Sequence, residues 1–183
     1  MAKGSNGAAG AIILSIILFA GVGAGAYFGL PYFFPGMGTP AYVYQEFDNV
    51  NVINDEDLAW QNLTGIEVNF TKQYDSKIEA TFNSLLMLGY LSDDRMVYEI
   101  SLCVENAGNR TSYVGYLDTG AQSIREVTTS FILTYTTGIL PAGTYRVYVM
   151  ARSLFDLDPE TGYALFNNAI VDYNSSLTIQ EIL

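Results

Sequence analysis

The amino-acid sequence predicts an all-β domain, an antiparallel β-sandwich (jelly-roll-like) spanning residues 42–183, preceded by a segment over residues 1–34 that comprises a cytoplasmic tip and one N-terminal transmembrane helix, the signal anchor. Period-two hydrophobic alternation recurs along the C-terminal part, and turn-forming residues punctuate it. The N-terminal part instead carries a long apolar stretch without a single charge, from Gly4 to Gln45.

The alternation is clearest in four runs. Ile66, Val68 and Phe70 alternate with Glu67 and Asn69, and Tyr98, Ile100, Leu102 and Val104 with Glu99, Ser101 and Glu105. Tyr145, Val147, Val149 and Ala151 alternate with Arg146, Tyr148 and Arg152. Leu177, Ile179 and Glu181 alternate with Thr178, Gln180 and Ile182. Residues 42–46, 77–90, 111–117, 124–136 and 163–173 are also strand-like in their Tyr, Val, Ile, Thr and Phe content. Turns are expected at Asn106-Ala107-Gly108-Asn109, Asp118-Thr119-Gly120, Pro141-Ala142-Gly143 and Pro159-Glu160-Thr161-Gly162. Only Asp55 to Gln61, acidic residues leading into Leu58 and Trp60, suggest a helical turn. Eight or nine strands without helical crossovers predict two antiparallel sheets packed face to face, as a sandwich or jelly roll.

Ala8 to Leu30 is 23 residues, about 35 Å as a helix and enough to cross a bilayer. Pro31 and Pro35 end it, and Tyr27, Phe28, Tyr32, Phe33 and Phe34 gather at its far end, where aromatic rings favour the headgroup zone. Lys3 on the near side places the N-terminus in the cytoplasm and the C-terminal domain outside the cell. Residues 35–41, with Pro35, Gly36, Gly38 and Pro40, form a short spacer. Two other fates compete with a retained anchor. Ala24-Gly25-Ala26 has the small-residue pattern of a signal-peptide cleavage site, and Lys3-Gly4 before an apolar helix resembles the leader of archaeal type IV pilins. Gly21, Gly25 and Gly29 lie on one helix face, where small residues let two membrane helices approach closely.

Composition excludes several functions. The net charge of −11 argues against nucleic acid and against anionic lipid heads. With no histidine and one cysteine, the chain has no intramolecular disulfide, no Cys/His zinc site and no Ser-His-Asp or Cys-His constellation. Cys103 reads as a small, partly buried apolar residue. A glycosidase pair of carboxylates cannot be located among 19 acidic residues, so no enzyme is expected.

Three groups of residues are candidate sites. Asp156, Asp158 and Glu160, before Gly162, resemble part of a calcium loop, although the spacing is not that of an EF-hand; the alternative is a solvated hairpin tip. No cofactor is expected beyond calcium at this loop. The sequons are Asn62-Leu63-Thr64, Asn69-Phe70-Thr71, Asn109-Arg110-Thr111 and Asn174-Ser175-Ser176, with Asn109 expected on a turn and most open to modification. Arg146, Tyr148 and Arg152 share the polar face of one strand, where they would hold a glycan or a surface protein. The alternative there is an edge strand whose arginines cover the sheet.

Leu140-Pro141-Ala142-Gly143-Thr144-Tyr145-Arg146-Val147-Tyr148-Val149 resembles the lead-in to a late strand of jelly rolls, and Ser176 to Ile182 is similar to their closing strand. Both features resemble C1q/TNF-like modules and the tips of phage fibres. That resemblance implies a ligand-binding head, commonly trimeric, although the collagen or coiled-coil stalk of such trimers has no counterpart here. The N-terminal part resembles a signal anchor of archaeal surface proteins.

The expectation is a membrane-anchored surface module for binding, adhesion or envelope structure, contacting the membrane through residues 8–30 and open to homo-oligomerisation. A pilin-like filament subunit is the alternative. Mass spectrometry of the mature N-terminus separates them: a retained anchor keeps residues 1–26, a cleaved signal loses them, and a processed pilin begins at Ser5.

Overall fold

A computed structural model describes residues 40–54, 57–90, 95–117, 125–154, 162–166 and 174–183. The anchor segment with Gly21, Gly25 and Gly29, most of the spacer, and Asp156, Asp158 and Glu160 lie outside the described residues. Among the described residues, no helix is long and apolar enough to cross a membrane.

The described residues form ten strands. These are β1 (Tyr42–Phe47), β2 (Asn51–Asn54), β3 (Gln61–Lys72), β4 (Lys77–Tyr90) and β5 (Arg95–Val104). They continue with β6 (Gly108–Leu117), β7 (Arg125–Thr136), β8 (Gly143–Ser153), β9 (Gly162–Phe166) and β10 (Ser175–Ile182). The short β2 escapes the sequence reading because Asn51-Val52-Ile53-Asn54 holds too few residues to display a period. The expected helical turn over 55–61 is corrected. Residues 57–60 are not helical and Gln61 already belongs to β3. Asp57 instead closes a tight turn, its N–H donating to the Asn54 carbonyl at 3.1 Å and its carboxylate accepting from the Asn54 N–H at 2.9 Å.

Four antiparallel pairings define the architecture: β1 with β10, β3 with β8, β4 with β7, and β5 with β6. They form a two-stranded ribbon, and pairing of β10 with β4 and of β8 with β5 rolls it into two sheets. One sheet contains β1-β10-β4-β7 and the other β3-β8-β5-β6. This is the strand order of a jelly roll. β9 and β2 extend the first sheet, because β10 takes Lys77–Asn83 of β4 and β9 takes Leu86–Tyr90 on the same edge. Where Gly89 has no side chain, the Tyr163 ring of β9 lies across it; a Cβ there would sit 2.2 Å from the ring.

The alternation resolves into a shared core. Phe70, Ile100, Leu102, Val147 and Val149 from one sheet meet Ile78, Phe82, Leu86, Leu177 and Ile179 from the other, all buried. Phe82 and Phe131 approach with ring centroids 6.4 Å apart and tilted by 60°, within the centroid range of favourable aromatic pairs.

One end of the sandwich is closed by polar groups. Lys72, at the end of β3, is buried, and its ammonium donates to the carbonyls of Tyr74 (2.7 Å), Ser76 (2.9 Å) and Leu140 (2.5 Å) and to Ser76 Oγ (3.0 Å). Ser76 Oγ donates to Glu181 Oε1 at 2.6 Å, and Glu181 Oε2 accepts from the Ala41 N–H at 3.2 Å. Burial pushes the Lys72 pKa below the ordinary lysine range, while the negative charges of Glu181 and Asp75 pull it upward. The node joins the β3–β4 turn, the β7–β8 connection, the last strand and the first residue before β1. Lys72→Met removes the ammonium's hydrogen bonds and the cation near Glu181, while Ser76 and Leu140 keep their mutual backbone hydrogen bonds. It should cost about 1–3 kcal/mol in urea unfolding. Glu181→Gln keeps an acceptor for Ser76 and should cost about 1 kcal/mol. A neutral Lys72→Met would mean that desolvating the ammonium outweighs its hydrogen bonds.

Candidate functional site

The outward face of β3-β8-β5-β6 gathers the strand residues singled out from the sequence. Val147, Val149 and Ala151 point into the core, so Arg146, Tyr148, Met150 and Arg152 point outward. β8 runs between β3 and β5. The edge-strand alternative is therefore corrected: the arginines project from the middle of a sheet, not from its rim.

Each arginine is gripped twice. Arg146 donates from Nε to Glu67 Oε2 at 2.9 Å, with Nη2 on the same oxygen, and its guanidinium lies 4.9 Å from the Tyr148 ring centroid. Arg152 donates from Nε and Nη2 to Glu99 Oε2, both at 2.6 Å, and lies 4.7 Å from the Trp60 ring centroid. Arg146 and Arg152 are six residues apart on one strand, about 20 Å along it. The Arg146–Glu67 pair is exposed and adds little to stability. The Arg152–Glu99 pair is tighter in its surroundings, with Glu99 buried, and its contact with Trp60 contributes on the order of 1 kcal/mol. What both pairs accomplish is orientation: each glutamate holds a guanidinium against an aromatic ring.

Between the two stacks lie Met150, Ser101 and Cys103. Cys103 is buried although it faces outward, because it sits across from Tyr148 on one side and Asn109 on the other. Burial pushes the Tyr148 phenol up from its ordinary pKa, interaction with the Cys103 thiol reinforces this, and Arg146 opposes it. Tyr113 stands largely exposed beside Glu99 at the far side of the sheet.

All four sequon asparagines are exposed. Asn62 and Asn69 are on β3, in register with Met150 and Arg146 of β8, and Asn109 is on β6 in register with Cys103. Asn109 is not on the turn, as expected from sequence, but inside β6, which begins at Gly108; its Nδ2 donates to Ser101 Oγ at 2.9 Å. Asn174 immediately precedes β10. In a regular strand, positions 62 and 69 would face opposite ways. They share a face because the register of β3 against β8 shifts between Asn62 and Glu67. Gly65 makes that irregularity with φ +77°, and Asn51 braces it, accepting from the Thr64 N–H at 2.6 Å and donating to the Thr64 carbonyl at 3.2 Å.

Sequence reasoning missed Glu67, Glu99 and Trp60. Their outward positions in period two were visible for the two glutamates. Their arginine partners were not, because strand pairing between residues 79 and 53 positions apart decides them. Among the described residues, no group of three or more Cys, Asp or Glu could hold a metal ion.

No family model and no curated protein matches this chain. Among solved structures it is similar to the Eiger TNF of S. frugiperda, at 9% identity over 80% of this chain and 94% of that one, with a TM-score of 0.36. It is also similar to the VP2 subviral particle protein of infectious bursal disease virus, at 10% identity over 79% of this chain and 37% of that one, with a TM-score of 0.35. The fold assignment itself stands on the strand pairing: the chain is an antiparallel jelly-roll β-sandwich.

Gly65→Ala should test the β3 irregularity. A Cβ there would lie 1.9 Å from Asn49 Nδ2 on a backbone at φ +77°. The expected loss is about 1–3 kcal/mol in thermal unfolding.

Proposed function

We propose that this protein is a non-enzymatic β-sandwich tethered to the cell membrane through residues 8–30, with its N-terminus in the cytoplasm and residues 42–183 displayed outside. Its role is binding, adhesion or envelope architecture, and packing through Gly21, Gly25 and Gly29 would bring two copies together. The contact surface is the outer face of β3-β8-β5-β6, and its ligand is a glycan or another surface protein.

The observation that carries this reading is the pair of pre-oriented stacks, Arg146 on Tyr148 and Arg152 on Trp60. Aromatic rings held by arginines present large apolar area at low entropic cost, the feature common to binding hot spots. The acidic balance of the chain supports the same reading, because it directs the surface away from nucleic acid and anionic lipid.

Binding of the full-length chain to glycan arrays and to intact cells tests the proposal. Tyr148→Ser is expected to weaken capture about tenfold or more. Ile132→Ser, at an exposed position on the other sheet, should leave capture unchanged. Equal capture by both variants overturns the assignment of the face.

A further inference from the structure

The sequons of the β3-β8-β5-β6 sheet fall on its two edge strands. Asn62 and Asn69 are on β3 and Asn109 is on β6, while β8 and β5 between them carry none. An edge strand exposes unpaired N–H and C=O groups, and β3 is 12 residues long, a template for pairing with another chain. A bulky, hydrated substituent on such a strand blocks that pairing without altering the core.

One of these sites has a seat beside it. Trp60 immediately precedes β3 and packs against the outward-facing Arg152, and Asn62 is in register with the outward-facing Met150, so both lie on the outer face, two residues apart in the chain. The indole is only partly buried, and one contact on it is already taken by Arg152, itself held by Glu99. A pyranose ring has an apolar C–H face that packs on electron-rich aromatic surfaces, and a ring whose orientation is already set loses little entropy when it does so.

We propose that Asn62 carries an N-linked glycan whose first sugar packs on Trp60, and that sugars on Asn62, Asn69 and Asn109 close both edges of this sheet. The proposal deepens the reading of this face as a contact surface: it names carbohydrate as the chemistry recognised and the chain's own glycan as its source. The Nδ2–C1 bond of Asn62 forms as the bond from the anomeric carbon to the phosphate oxygen of an activated, lipid-linked oligosaccharide donor breaks; the lipid-linked phosphate leaves with the electron pair, and the proton lost from Nδ2 passes to a base of the transferring enzyme. Asn62 and Asn69 are the better acceptors, because Asn109 spends its amide on Ser101.

Trp60 is the sole tryptophan, so intrinsic fluorescence reads the seat directly. The test uses the full-length chain made in a glycosylating host, with glycopeptide mass spectrometry at each asparagine. Asn62 should be occupied. Release of the whole glycan by an amidase should shift Trp60 emission to longer wavelength, and trimming by an endoglycosidase that leaves the first sugar should not. Asn62→Gln should lower Tm by about 3–4 °C, and should lower it no further in a Trp60→Ala background. The unglycosylated chain should also show more self-association by light scattering. An unoccupied Asn62, or emission unchanged after amidase treatment, overturns the proposal. So does an unoccupied Asn62 combined with a response of Trp60 to added diacetylchitobiose, since the seat would then take a foreign sugar. Loss of ligand capture in Tyr148→Ser is read separately, so failure of the contact-surface reading and failure of the glycan proposal are distinguishable.

Discussion

Lys72 sits where a charged side chain is expensive, at the end of the apolar core, and four parts of the chain are joined through it. Its ammonium binds carbonyls from the β3–β4 turn and from Leu140 before β8. Ser76 then passes the interaction to Glu181 on the last strand, and Glu181 holds the backbone at Ala41 through both its carboxylate and its N–H. A buried ammonium is tolerated only when every N–H finds an acceptor, so these four segments must arrive together. In many β-sandwiches a disulfide performs this closure. Here the single cysteine cannot, and a polar node stands in for the covalent link.

The same node has a positional consequence. Ala41 immediately precedes β1, so the point where the domain begins is tied to its final strand. β1 and β10 then pair in register from Tyr42 with Gln180 to Phe47 with Ser175. Any pull on the chain at residue 41 is therefore shared between the first and last strands. Glu181 was visible in the sequence as the odd member of an apolar series, whereas Lys72 gave no signal of its own. Their connection was not visible, because it runs through Ser76 and spans 105 residues from Ser76 to Glu181.

On the outer surface, the governing device is the irregularity at Gly65. Without it, seven residues of regular strand would separate Asn62 and Asn69 onto opposite faces. With it, Leu63 and Ile66 are both buried, and both asparagines share the face that carries the arginine stacks. The left-handed glycine and the Asn51 brace act locally, yet they decide which chemistry one side of the sheet displays. Glycosylation motifs, aromatic rings and guanidinium groups become neighbours there for reasons no single segment contains.

Period-two alternation, turn residues and the absence of helical crossovers predicted from sequence alone an antiparallel sandwich, which the described strands form. They also identified which side chains of β3, β5, β8 and β10 fill its core. This was legible because strand periodicity and burial are local consequences of the pleat. Tertiary structure alone decided which strands are neighbours. It made β8 an interior strand rather than an edge, gave Arg146 and Arg152 their glutamates, and placed Asn109 within β6. The physical reason is that antiparallel pairing imposes no limit on sequence separation, so partners 53 to 140 residues apart meet only when the ribbon rolls.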